Sequence, residues 1–573
     1  MWRGWSRVAE SFAANALAWL AAGIILLLYF GGLASVPLFE PDEGRYTEIP
    51  REMLEGGDWV LPHLDGVLYF EKPPLNYWLT AGSIKAFGLG PFATRFPNAI
   101  IALLGVWLAW ALGKKMGGAK TGWLSALILA VSPLYLAMAH IATLDMSVGF
   151  FVAVALACFW FAQGEDQYGG WRGKAPWWGL FASAALAVLS KGLIGLLLPG
   201  AVIGLYILIT WRWDLLKRVP WFSGIALFLA IAAPWHLFAA MRNDHFIDIY
   251  IIREHFLRYL TPVSDRQEPW WFFIPVILVG LLPWSGLLPE AALALRRPMA
   301  DLRKKRSHWL FLVLWAGFIF LFFSASSSKL IPYMMPAMWP LAVLLALAIT
   351  PLWDSGRAAP GMALKTGAAI AAIIWVVAGA AFVWAGLGRV PSLAGWDYPL
   401  YWLVLIGSLL SLVGAVAAAA WLLGEARAGV ALFFLSAALF FGALWVAAPR
   451  VQTGRNVQGI AKYLLANMKP GDSLYSYRYY PQTLPVYLQR EIGVVAFQGE
   501  LAFGISQLSE SERHERFPSG AEFKPRWDSD ERIYLVTDRE SLPVMEREGL
   551  GHYTIISQRG IVVLLTNRPL ENG

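Results

Sequence analysis

Cysteine is all but missing from this chain. Cys158 stands alone in an apolar run, which rules out an intramolecular disulfide and any cysteine-based metal cluster, and it reads as an inert core thiol. Charge is scarce too: 15% of residues are charged against 58% hydrophobic, so most of the chain has lipid for solvent and the protein is a polytopic membrane protein. No internal repeat marks an inverted-repeat transporter. No Gly-rich phosphate loop is found, and no nucleotide-binding domain. The net charge of +7 sits in short loops between apolar runs, where it sets orientation in a bilayer, so no nucleic acid partner is expected.

A window of about 20 residues finds about thirteen candidate spans: 15–36, 93–113, 121–139, 145–163, 178–192, 194–211, 220–240, 270–290, 308–325, 332–353, 364–387, 398–421 and 429–448. Arg3 and Arg7 precede the first without a cleavage pattern, so it is read as a retained span with the N-terminus inside. Alternation then puts Lys114, Lys115 and Lys120, Arg212, Lys217 and Arg218, Arg296 to Arg306, and Arg357 and Lys365 on that same side, as the positive-inside rule asks. Merging 178–192 with 194–211 would turn the 296–306 loop outward, so the two stay separate. The opposite face collects the Asp42 loop, His140–Asp145, Lys191, loop 241–269, Ser326–Lys329 and everything after Pro449.

The expected fold is therefore an α-helical transmembrane domain over 1–449, with outer loops at 37–92 and 241–269, followed by a soluble α/β domain over 450–573. In the latter, helical periodicity covers Val457–Met468, with Lys469-Pro470-Gly471-Asp472 as its stop. Short β-rich runs lie at Ser473–Tyr477, Ile492–Phe497, Arg532–Thr537 and Gly560–Thr566. With no triad of its own, this domain is expected to cap the site or admit substrate.

Loop 37–92 holds the chemistry. Asp42 and Glu43 are adjacent and must point apart; Glu48 and Arg51 follow at helical spacing on a segment lying along the interface. Asp42 either faces a site or merely caps the segment Glu43–Leu54. In Glu71-Lys72-Pro73-Pro74 the prolines remove backbone donors and stiffen the chain, projecting Glu71 and Lys72 beside the membrane, where a lysine can bind phosphate or simply snorkel. In the later outer loop His255 and Arg258 share a helix face with Arg253 nearby, and a guanidinium fork suits a phosphate. His255 could join Glu71 on a divalent ion such as Zn²⁺, although one His and one carboxylate are a sparse ligand set. Lys191, Lys329 and Tyr333 stand at outer span ends, where cations run against the orientation bias and could form a positive field for an anionic headgroup.

Three stretches carry a family resemblance: Pro41-Asp42-Glu43-Gly44-Arg45-Tyr46, Tyr69-Phe70-Glu71-Lys72-Pro73-Pro74-Leu75 and Ser328-Lys329-Leu330-Ile331-Pro332-Tyr333. The chain resembles the protein O-mannosyltransferase superfamily, membrane glycosyltransferases of GT-C type that use polyprenyl-phosphate sugars. Within it the chain is similar, over its full length, to the bacterial lipid A aminoarabinose transferases. The resemblance implies transfer of 4-amino-4-deoxy-L-arabinose from undecaprenyl phosphate to lipid A on the periplasmic side of the inner membrane, hence polymyxin resistance. It also implies Asp42 as the catalytic carboxylate and Lys72 and Arg258 on the carrier phosphate, with Tyr69, Lys191 and Tyr333 nearby. Arg45, Glu71 and Asp145 would complete the cavity, with Glu43 and Asp145 as further catalytic candidates and Arg45 and Lys329 as further substrate-binding ones. No cofactor is required, with a divalent metal near Glu71 left open, and a monomer is expected.

Two rivals remain at this point. A flippase for an anionic lipid would also want a positive outer cavity, but it would place polar residues deep in several spans, whereas here they gather at one face. A transferase acting on protein or another glycan is the alternative within enzymes.

Overall fold

The computed structural model describes residues 19–164, 170–257, 268–300, 307–355, 361–387, 401–447 and 454–569. After the apolar helix α1 (Trp19–Phe30), the chain turns into α2 (Asp42–Gly56), a hairpin of β1 (His63–Leu64) and β2 (Val67–Leu68), and α3 (Leu75–Phe87). The hairpin turns on Asp65-Gly66, both with positive φ (54° and 70°), as a tight Asp-Gly turn requires. Both this hairpin and α3 lie inside what the sequence suggests is loop.

The bundle continues through α4 (Pro91–Gly117), α5 (Ala119–Ala130), α6 (Pro133–Ala139), α7 (Asp145–Ala162), α8 (Gly170–Lys191) and α9 (Ile194–Thr210), then Trp221–Arg242 and a π-helix, Ile247–Leu257. Among the described residues eight helices are long and apolar enough to cross a bilayer, or ten if two bent pairs each count as one span. Each expected span overlaps a helix, but two are not straight: α5 and α6 meet at 65°, and Phe273–Gly280 meets Trp284–Leu295 at 105°. A proline stands at each break, Pro133 and Pro283, where it cannot donate to the preceding turn. The interior belongs to α7 and Ile331–Asp354, 72% and 78% buried, while Trp221–Arg242, at 22%, turns its apolar side chains outward.

In the C-terminal domain, helix Gln458–Asn467 leads into a five-stranded mixed sheet. Strands β3 (Ser473–Tyr477), β4 (Gly493–Val495), β5 (Ile533–Asp538), β6 (Thr554–Arg559) and β7 (Val562–Thr566) lie in the order β4-β3-β5-β7-β6. Strands β4, β3 and β5 run parallel, and β7 and β6 are antiparallel additions. Alternation splits the strands between two cores. Tyr475, Tyr477, Leu535 and Val563 pack on Phe523 and Trp527. Leu474, Val494, Val536 and Leu564 instead share a core with Ile49, Met53, Leu64, Val67 and Tyr77 of the first loop. Each large side chain so buried contributes roughly 1.5–3 kcal/mol, so the first loop and the C-terminal domain are one packed body.

Candidate active site

A cavity of about 270 Å³ opens where α2, the segment after β2, the start of α7, the α8–α9 junction and the segment 322–333 converge. Asp42, Arg45 and Tyr46 reach it from α2, one face at helical spacing. Glu71 and Lys72 come from the stiffened segment, Thr143, Leu144 and Asp145 from the start of α7, Lys191 from the end of α8. Ile194, Phe322, Phe323, Leu330 and Pro332 supply the apolar part of the lining, with Ser326, Ser328 and Tyr333 beside them.

Asp42 does not cap α2. The N-cap is Pro41, with no side-chain cap bond, so Asp42 opens the first turn. It is exposed to the cavity and accepts no hydrogen bond among the described residues.

Glu43, expected beside it, faces the other way and is fully buried. Its carboxylate accepts from Arg95 Nε at 2.8 Å and Nη2 at 2.6 Å, and from the backbone N–H of Ala142 and Phe39 at 2.9 Å each. Arg95 also donates to the carbonyls of Leu33, Val36 and Pro37 at 2.8–2.9 Å, pinning the exit from α1. Glu43 therefore holds the loop and does not reach the cavity. Arg95 was missed in the sequence; its signal was an arginine inside a predicted span, which must find a partner.

Arg45 divides its donors. Nε donates to Gln482 Oε1 at 3.0 Å and Nη1 to the Tyr69 hydroxyl at 2.9 Å, while Glu71 and Glu500 each stand 3.8 Å from the guanidinium. Tyr69 is buried behind the wall, where its hydroxyl donates to Glu71 Oε2 at 2.9 Å. Tyr46 stays a neutral phenol, because burial pushes its pKa up against the pull of Arg45. Lys72 Nζ donates to the Glu71 carbonyl at 2.8 Å. Lys191 forms an ion pair with Asp145, and its ammonium sits 4.9 Å from the Tyr333 ring centroid.

Lys329 does not line the cavity. It is buried and donates to the carbonyls of Ser326 at 2.7 Å and Glu268 at 2.9 Å, so its charge is spent on backbone that joins two outer segments. Arg258 lies outside the described residues, as does the side chain of His255, whose backbone belongs to Ile247–Leu257. Among the described residues no group of three or more His, Cys, Asp or Glu is placed to hold a metal. Glu71 stands 3.8 Å from the Arg45 guanidinium and accepts from the Tyr69 hydroxyl at 2.9 Å.

Residues 71–238 match the family described as dolichyl-phosphate-mannose-protein mannosyltransferase, and 460–566 match the aminoarabinose transferase C-terminal domain. The undecaprenyl phosphate-α-4-amino-4-deoxy-L-arabinose arabinosyl transferase of Pseudomonas aeruginosa UCBPP-PA14 is 32% identical over 66% of this chain and 71% of its own. The chain belongs to this arabinosyl transferase family. The corresponding enzyme of Aeromonas salmonicida is 36% identical over 59% of this chain, and the aligned stretch spans 61% of that relative. A crystal structure of ArnT from Cupriavidus metallidurans bound to undecaprenyl phosphate superposes with a TM-score of 0.82 at 28% identity, covering 97% of this chain and 98% of that one.

The C-terminal domain clasps the loop bearing Asp42 at several points. Glu40 accepts from the backbone N–H of Gln482 at 2.9 Å and of Thr483 at 2.8 Å, and from the Thr483 hydroxyl. Leu38 N–H donates to the Tyr487 hydroxyl at 3.0 Å. Burial pushes Glu40 up to about 7 despite these donors.

Proposed function

We propose that the protein transfers 4-amino-4-deoxy-L-arabinose from undecaprenyl phosphate to a lipid A phosphate, with inversion, at the periplasmic face of the bacterial inner membrane, conferring resistance to polymyxin and other cationic antimicrobial peptides. The carrying observation is the cavity itself: it is lined together by the carboxylate of Asp42, unpaired among the described residues, by the cations Arg45 and Lys72, and by the apolar Phe322, Phe323 and Ile194.

The apolar lining receives the start of the polyprenyl chain, and Lys72 and Arg45 take its phosphate, with Arg258 assigned to the same group. A lipid A phosphate oxygen attacks the anomeric carbon as the bond to the carrier phosphate breaks. The acceptor is already ionised near neutrality, so no general base is needed. Asp42 stabilises the positive charge that grows on the sugar, and the cations stabilise the negative charge on the leaving phosphate. An inside N-terminus followed by an odd number of crossings, as the sequence suggests, would carry the C-terminal domain to the periplasmic side, and its packing against the first loop keeps it beside this site.

Mass analysis of lipid A from a strain lacking its own transferase tests the reading. Expression of this protein is expected to add aminoarabinose to lipid A, and unmodified lipid A beside a modified protein or glycan would overturn the acceptor. Lys72→Ala is expected to weaken undecaprenyl phosphate binding about tenfold or more, because it removes a charge-assisted contact of roughly 1.5–3 kcal/mol.

A further inference from the structure

We propose that Gln482 and Glu500 of the C-terminal domain are positioning residues for the transfer reaction, fixing where the Arg45 guanidinium stands in the donor cavity. The inference rests on the donor assigned above. A guanidinium is a rigid fork, so fixing its Nε fixes the direction of both remaining nitrogens. Gln482 supplies that fixed point, accepting from Arg45 Nε at 3.0 Å.

Gln482 is itself held from three sides. Its backbone N–H donates to Glu40, and its side-chain amide donates to Glu500. At Gly44 an added Cβ would come within 2.5 Å of the Gln482 carbonyl carbon, so the two backbones touch directly one residue before Arg45. The side chain is 2% exposed, and a polar group this buried is retained at a desolvation cost unless its bonds are made. Glu500 adds a charge effect: with Glu71 it brackets Arg45, each carboxylate 3.8 Å from the guanidinium. An arriving carrier phosphate competes with both for one cation. Gln482 therefore orients Arg45 toward the phosphate, and Glu500 restrains it.

These roles predict opposite signs, which mere domain glue would not give. In full-length protein in lipid nanodiscs, with undecaprenyl phosphate as the probe, Gln482→Ala is expected to weaken binding about tenfold by unpinning Arg45. Glu500→Gln keeps the shape and removes a competing charge, so binding is expected to tighten roughly threefold. Both effects are expected to vanish in an Arg45→Ala background, and Glu500→Gln to melt like the parent protein. Equal weakening by both variants, an unchanged affinity in Gln482→Ala, or effects that persist without Arg45 would overturn the inference. A parent protein that fails to bind undecaprenyl phosphate would instead refute the donor assignment.

Discussion

Two arginines serve the same short loop in opposite ways. Arg95 is 2% exposed, meets a fully buried Glu43 at 2.6 Å, and spends its other donors on three carbonyls. Arg45, three residues from Asp42, has its two carboxylates at 3.8 Å and keeps 14% of its side chain exposed. A buried charge pair with every donor used is a fastener that has nothing left to offer a ligand. A cation in long contact with two acids, open to a cavity, can exchange one partner for an incoming phosphate. Completeness of pairing, more than burial alone, separates scaffold from site in this loop.

The contrast breaks most severely at Arg95. Arg95→Ala leaves Glu43 charged and buried without its partner, and a loss of about 3–5 kcal/mol is expected, seen as a lower melting temperature or absent folded protein. Glu43→Gln is expected to destabilise in the same assay by less. Asp42→Asn is the reverse case: melting and undecaprenyl phosphate binding stay normal while single-turnover transfer falls about 10²–10³-fold, since the lost interaction grows only as the bond breaks. Wild-type transfer by Asp42→Asn would move the role to Asp145 or Glu71.

The smallest effect sharpens the comparison through pH. Burial, with the facing carboxylates Glu48 and Asp65, pushes Glu52 up to about 9, and burial pushes Asp65 up to about 7. Both stand where the first loop meets the C-terminal domain, near Arg51, His63, Glu491 and Arg516. Raised carboxylates stabilise the fold fully below the ordinary carboxylate range and lose that contribution as pH rises through 7 toward 9. The melting temperature is therefore expected to fall by a few degrees from pH 6 to 9, and Glu52→Gln to flatten the slope. A melting temperature that climbs over that range would reverse the assignment.

Much of this architecture is legible in the residues. The apolar runs and the helix after Pro41 follow from charge placed against hydropathy, whereas the gathering of Asp42, Glu71, Lys72, Asp145, Lys191 and Tyr333 in one cavity was implied by the family resemblance. Strands β3, β4, β5 and β7 fall on the β-rich runs, whereas β6 was hidden because four of the six residues of Thr554–Arg559 are polar and the strand carries an irregularity between Ile555 and Ser557. Glu43 looked like a site residue because its partner lies 52 positions away, and Lys329 because a carbonyl acceptor leaves no trace in sequence. Nothing in Gln482 or Glu500 marks them as neighbours of Arg45, since sequence patterns do not report contacts between distant segments.

That distance bears on how the protein is made. Arg45 and Gln482 are separated by 437 positions, and Glu40 and Thr483 by 443. The loop bearing Asp42 leaves the ribosome among the earliest segments and acquires these partners only near the end of synthesis. Until then Arg45 lacks Gln482 and Glu500, and Glu40 lacks Gln482 and Thr483. A nascent or truncated chain, even one with every membrane helix in place, would hold Arg45 without two of its four partners, so the cavity takes its final shape only once the C-terminal domain has been translated.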